Sequence, residues 1–537
     1  MISRRSTHAA RRWHRVSPRA RGIAVAVTAL GAVLCASVAG AQNSDQRLST
    51  AAATSFRFAS GRCPTPPAPT PELKTARCGQ LIVPEDRRHP NGHTISLSVA
   101  IIPAKSSTPK PDPILWLAGG PGDDALTEIP WAVAGDLNRD RDVIFMSQRG
   151  TYSASPKTAC PVVDRWPADM LNMPYDAAAT GKAYVVASRK CRAQLVARGV
   201  DLSAYNSLES ADDVEGLRLA LGIAKWNVYG ISYGTDLALN YMREHPQGIR
   251  SVGIDGVFPP PIAGGVASWT SAGEGINAVF RACAAQRACR ARYGNIGATF
   301  RRLVLQYERS PRSVRVRVPG VKRLVRVMIS GGMLVQWAVS PGTHLAGKLP
   351  ADLDALAHGN PAPIASTWAA PKLNPAGIGV LGNGLFYGVS CGEWVPYETE
   401  SSVIASGRRA FPGFPLSIYR NAPNLPFMRQ NCGAWAIPRV PAAVRAVTRS
   451  NIPTLVISAQ YDGQTAASFG RRVARTLPNS TVVTIPNVAH VAFASPSPKS
   501  NACAQSIARS FFDVLNRADT TCIARLPPTH FVITLRH

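Results

Sequence analysis

Short, largely apolar runs alternate with amphipathic stretches in two separated parts of the chain. The runs Leu81–Val83, Ile95–Ile102, Ile114–Leu117, Val143–Met146, Trp226–Tyr229, Val252–Ile254, Thr454–Ile457 and Val482–Ile485 are expected strands. Helical spacing appears near Asp212–Leu221, Thr235–Arg243, Phe469–Leu477 and Ile507–Leu515. Strand alternating with helix predicts a mostly parallel sheet covered by helices, an α/β fold. Between Pro259-Pro260-Pro261 and Pro453 the alternation breaks down. That third holds a short two-cysteine loop, Pro/Gly-rich stretches and an expected hairpin at Val314–Val327 turning at Pro319-Gly320, and reads as an inserted lid.

The amino end changes how the charge is read. Residues 1–41 hold seven Arg and no acid, then an apolar run from Ile23 to Leu34, then the small-residue site Ala39-Gly40-Ala41, the pattern of an export signal. Without those seven Arg the formal charge falls from +28 to +21, still strongly basic. On an exported chain this favours electrostatic contact with anionic cell surfaces; no nucleic acid is expected, and no later run is long enough for stable membrane insertion. Seven basic residues cluster at the hairpin: Arg309, Arg312, Arg315, Arg317, Lys322, Arg323 and Arg326. Ten cysteines lie beyond Cys35, an even number that suits disulfides in an oxidising compartment. Sequence neighbours make plausible pairs: Cys63 with Cys78, Cys160 with Cys191, Cys283 with Cys289, Cys391 with Cys432, and Cys503 with Cys522.

Candidate chemistry centres on Gly230-Ile231-Ser232-Tyr233-Gly234. An apolar run feeds into it and a helical run leaves it, the strand–turn–helix that a nucleophile elbow requires. A serine nucleophile needs a base and an orienting acid, following in the order Ser, acid, His. His490 follows a strand by a short loop and is the expected base. Asp462, just after Thr454–Ile457, is the first choice of acid, with Asp255 as competitor. Oxyanion donors are expected from the Tyr233 amide and from Gly120 in Gly119-Gly120-Pro121-Gly122.

These residues resemble a known family, the secreted serine aminopeptidases of the alpha/beta-hydrolase fold, of tripeptidyl aminopeptidase and proline iminopeptidase type with a TAP-like carboxy-terminal segment. The resemblance covers about residues 78–530 and rests on Cys78-Gly79, Gly119–Gly122, Gln148-Arg149-Gly150, Cys191-Arg192, Asp213, Trp226 through Thr235, Asp255-Gly256 and the Cys283/Cys289 loop. It implies a lid over the site, Ser232, Asp462 and His490 as a triad, and removal of amino-terminal residues from peptides. Five positions depart from the family pattern: Ser147 replaces an acid, Asp123-Asp124 replace small residues, and Ala489 and Val491 flank His490 in place of glycines. Cys391-Gly392-Glu393 resembles a lid segment whose acids receive the substrate's amino group, which makes Glu393 a candidate substrate-binding residue. Asp123 and Asp124 read as helix caps.

The expected organisation is a signal peptide at 1–41, an extension at 42–77, a hydrolase core at 78–258, a lid at 259–450 and the TAP-like rest of the core at 451–537. The expected protein is a secreted or periplasmic serine hydrolase that cleaves peptides near the amino terminus through an acyl-enzyme. A carboxylesterase with the same triad, and a non-catalytic basic surface-binding protein on a hydrolase scaffold, are the alternatives. Neither a metal nor an organic cofactor is implied.

Overall fold

A computed structural model describes residues 56–339 and 346–533. The expected export signal at 1–41 and residues 42–55 of the expected extension lie outside the described residues. Twelve strands are described: β1 (Arg57–Gly61), β2 (Arg77–Pro84), β3 (Thr94–Ile102), β4 (Ile114–Leu117), β5 (Val143–Met146), β6 (Ala154–Ser155), β7 (Trp226–Ile231), β8 (Ile249–Asp255), β9 (Arg312–Val316), β10 (Val325–Ile329), β11 (Thr454–Ala459) and β12 (Ser480–Ile485). Ten of them form one sheet in the order β1-β2-β3-β5-β4-β7-β8-β11-β12, with β6 pairing β3. From β5 to β12 every neighbour is parallel, and β1, β2, β3 and β6 add an antiparallel end. The central strands β4, β5, β7 and β11 are buried at every position, the physical reason their sequences are apolar without alternation. This is the alpha/beta-hydrolase sheet implied by the resemblance.

Two strands are absent from the sequence reading. β1 is mostly exposed and polar, and β6 is only two residues long, so neither has a buried apolar run to signal it. β1 is nevertheless well fixed: Phe58 sits opposite Leu81, and the Cys63–Cys78 disulfide ties the segment to β2.

Between β8 and β11 the chain leaves the main sheet and builds its own apolar cluster around Trp269, Phe300, Phe411 and Tyr419. This segment is largely helical. In the helix Ile296–Arg309 the buried residues Ile296, Phe300, Leu303, Val304 and Tyr307 make one stripe, and Asn295 caps it by accepting from the Ala298 amide at 3.0 Å. Many of the other helices are short and bounded by Pro or Gly, which hides their period in the sequence. β9 and β10 form the hairpin, Arg315 facing Arg326; six of the seven basic residues lie on it, Arg309 ends the helix before it, and all seven are exposed. The five cysteine pairs are those expected from sequence neighbours. No disulfide among the described residues joins the inserted segment to the rest.

Gln148-Arg149-Gly150 has a structural use. The fully buried Arg149 guanidinium makes a two-pronged contact with Asp213 at 2.8 and 2.9 Å, and its remaining donors reach the carbonyls of Glu85 and Ala204. The ion pair thereby locks β2, the turn after β5 and the helix Ser207–Ala220 together. Arg149→Ala would leave Asp213 with only the partly exposed Arg87 as a partner. It should lower stability by about 3–5 kcal/mol in urea unfolding.

Candidate active site

The turn after β7 is dictated by steric exclusion. A Cβ at Gly230 would lie 2.4 Å from the Gly234 carbonyl, and one at Gly234 would lie 2.2 Å from the Leu117 carbonyl on β4. Only glycine fits at either position, so the helix Tyr233–Glu244 can press directly against β4. Between them Ser232 is forced to φ 50°, ψ −123°, a strained backbone for a residue with a side chain. Its amide donates to the Asp255 carbonyl at the end of β8, 3.0 Å away.

The structure brings Ser232, His490 and Asp462 together from the ends of β7, β12 and β11. Ser232 Oγ lies 2.9 Å from His490 Nε2, and His490 Nδ1 lies 2.9 Å from Asp462 Oδ2. Asp462 is held in turn: its Oδ1 accepts from the Gln464 and Thr465 amides at 2.8 Å each, and its Oδ2 from Thr465 Oγ at 2.6 Å. Burial alone would depress the His490 pKa, but the Asp462 charge and hydrogen bond outweigh it and hold the imidazole above its ordinary value.

Asp255 does not contact His490. Its carboxylate accepts from the amides of Ala492 (3.1 Å) and Phe493 (2.8 Å), so it fastens the loop that carries His490. Burial raises its pKa to about 6, against the pull of those amides. Gly119 and Gly120 run beside Ser232: a Cβ on Gly119 would sit 3.0 Å from Ser232 Cβ, and Gly120 has φ +102°. Tyr233 opens its helix, so its amide has no acceptor within the helix. Both positions are suited to present N–H groups to a developing oxyanion.

A cavity of about 500 Å³ opens in front of Ser232 and His490. Besides His490, the charged residues on its wall are Asp123 and Glu128; Trp131 and Gln464 complete the larger side chains. The two adjacent aspartates divide their work. Asp124 caps the turn Ala125–Glu128 and accepts from Ser147 Oγ, the residue that stands where an acid is common, at 2.9 Å. Asp123 faces the cavity as an exposed residue, has no hydrogen-bond or ion-pair partner among the described residues, and is raised to about 6 by partial desolvation at the cavity wall and by the Asp124 charge. Glu128 is held far above the ordinary carboxyl range by burial and by Asp123, although Trp116 Nε1 donates to it at 2.5 Å. Sequence reasoning missed Glu128 and Trp131, since a carboxyl and an indole at the start of a short helix carry no motif.

Glu393 is a correction. It does not line the cavity: its carboxylate accepts from Ser207 N at 2.7 Å and Ser207 Oγ at 2.8 Å, and it is sealed in the interior. Proximity to the Cys391–Cys432 bridge carries no information on which way a side chain turns. The acid side chains that share a cavity with Ser232 come instead from the Gly-rich loop and the turn after it.

Comparison with known proteins agrees with this architecture. Residues 112–274 match the family described as alpha/beta hydrolase fold, and residues 423–522 the family described as TAP-like protein. The serine protease Hip1 of Mycobacterium tuberculosis is 29% identical over 197 residues, 34% of this chain and 36% of that protein. A proline iminopeptidase of Neisseria gonorrhoeae is 26% identical over 154 residues, 29% of this chain and 35% of that protein. The chain thus matches little more than a third of the length of these curated relatives. Among solved structures, the proline iminopeptidase of Mycobacterium smegmatis aligns over 81% of this chain and 97% of its own, at 14% identity and a TM-score of 0.36.

Two outcomes follow from this geometry. Asp255→Asn should leave one of the two amides, Ala492 or Phe493, facing an NH2 donor in place of its acceptor and lower stability by about 1–3 kcal/mol, read from thermal unfolding. The second concerns pH. Burial, partly offset by Ser207, raises Glu393 to about 7, and Asp236 beside it is raised well above its ordinary value. A carboxyl raised in the folded state holds protons that the unfolded chain releases, so its contribution falls as pH rises from about 4.5 through 7. Stability should therefore decline across that window, and Glu393→Gln should flatten the slope in a Tm-against-pH series.

Proposed function

We propose, from the premise that the chain is an alpha/beta hydrolase with a TAP-like carboxy-terminal segment, that it is an exported serine peptidase acting near the amino terminus of peptides. The observation that carries this reading is the hydrogen-bonded run Asp462–His490–Ser232 opening on a cavity that holds carboxyls and no Lys or Arg, in a chain of net charge +28. Ser232 Oγ attacks the scissile carbonyl while His490 Nε2 takes its proton. Asp462 holds the ring by Nδ1, and the Gly120 and Tyr233 amides receive the oxyanion. His490 then returns the proton to the leaving amine, and water releases the acyl group by the same steps in reverse order.

Asp123 and Glu128 give the amino-terminal preference a physical basis. Glu128 is a buried carboxyl and Asp123 an exposed one at the cavity wall, neither has a counter-charge among the described residues, and a substrate ammonium would supply one. Relatives named serine protease and proline iminopeptidase support peptide chemistry. Five disulfides, together with the amino-terminal sequence pattern, support export. No helix among the described residues is long and apolar enough to cross a membrane.

Ser232→Ala should abolish turnover and fluorophosphonate labelling while leaving the unfolding curve near that of the native chain. Acetylating the amine of a chromogenic peptide should lower kcat/KM by ~10-fold or more, and Asp123→Asn should erase most of that difference. The ratio of free-amine peptide to short-chain ester turnover should fall as pH drops through about 6, where Asp123 protonates. Equal rates on free and acetylated peptides would leave a carboxylesterase or a broader hydrolase.

A further inference from the structure

A second chamber adjoins the first. It has a volume of about 620 Å³ and shares the wall residues Ala489, Ser495 and Pro496 with the cavity in front of Ser232. Its charge is of the opposite sign. Lys348, Lys499 and His530 line it, with no Asp or Glu on the wall. All three are exposed, and none makes a hydrogen bond or ion pair among the described residues. The three come from separate parts of the chain: the inserted segment, the helix Pro498–Asp513 and the tail after it.

The position of this chamber relative to His490 decides what could enter it. Ala489 precedes His490, and Ser495 and Pro496 follow it on the same loop, so the shared wall lies on the side of the base. Asp123 and Glu128, from the Gly-rich loop and the turn after it, line the first cavity and are absent from the wall of the second. The group that leaves Ser232 must receive its proton from His490, which directs the departing fragment toward the base. Resting on the peptidase reading above, we propose that the Lys348/Lys499/His530 chamber is the subsite for the departing fragment and selects a carboxylate on it. A substrate would then lie along a gradient of charge, ammonium toward Asp123 and carboxylate toward the lysines, which describes a short peptide with both ends free. The carboxylate could be a chain terminus or the side chain of an acidic residue.

Three peptides test this, identical up to the scissile bond and differing only in the departing fragment: a free carboxy terminus, its amide, and an amide carrying Glu. Two lysines at an accessible site should favour the carboxylate over the plain amide by about tenfold in kcat/KM. If a terminus is read, the Glu amide stays with the plain amide; if any carboxylate suffices, it joins the free acid. In Lys348→Met/Lys499→Met the ratio should fall to near one. Equal rates on acid and amide in the native chain, or a ratio unchanged in the double variant, would overturn the proposal. A parallel series of esters, whose leaving alcohol bears a carboxylate or an amide, separates this idea from the peptidase reading. If peptides are not cleaved but the ester series keeps its preference, the subsite stands and the peptide assignment falls. Protection of Ser232 from fluorophosphonate by a short acetylated peptide acid, and not by its amide, gives a readout that requires no turnover.

Discussion

The absence of side chains at two positions, Gly230 and Gly234, is what the rest of the site depends on. Because nothing separates Gly234 from the Leu117 carbonyl, the helix after β7 packs at backbone distance on β4, and Ser232 is lifted off the sheet. Each of its neighbours is then placed by a contact that starts there. The Ser232 amide holds the end of β8, and Asp255 on β8 holds the loop after His490. Gly256 lets His490 approach, a Cβ there lying 3.2 Å from the ring, and Gly275 in the inserted segment lets the Asp462 backbone approach in the same way. A strained serine thus persists because several elements converge on it, each needing it where it is.

Electrostatics at the site runs against the whole-chain charge. A protein with 60 Lys and Arg against 32 Asp and Glu has gathered carboxyls around Ser232 and left Asp123 without a partner among the described residues. Burying Glu128 with no counter-charge costs stability, and the same chain shows the alternative at Arg149, where a buried charge is fully matched by Asp213. The contrast separates charge that builds the fold from charge kept available for something that arrives later.

What was legible in the sequence follows from burial. Strands covered on both faces declare themselves as apolar runs, and their ends point to Ser232, Asp462 and His490. The exposed β1 and the two-residue β6 have no such signature. In the inserted segment, frequent Pro and Gly cut the helical period below the length at which it can be read. Side-chain direction was the other gap. Asp123 and Asp124 are adjacent and chemically identical, yet one caps a turn and the other faces the cavity; Glu393 lies next to a cysteine of a disulfide and turns inward to Ser207. Such choices are made by packing between residues far apart in the chain, which no local pattern encodes.

The tail after the helix Pro498–Asp513 touches three separate parts of the molecule. Gln286 donates to the Thr529 carbonyl and Tyr293 to that of Val532, while the Val532 amide reaches the Gly347 carbonyl, all three being contacts to the inserted segment. Asn487, three residues before His490, donates to the Pro527 carbonyl, and Tyr461, next to Asp462, meets Thr529. The tail is itself anchored by Cys503–Cys522. With no disulfide crossing between the inserted segment and the core among the described residues, this strap is a mechanical link between them. A displacement of the inserted segment on this side would therefore be carried by the tail to the loops that hold His490 and Asp462.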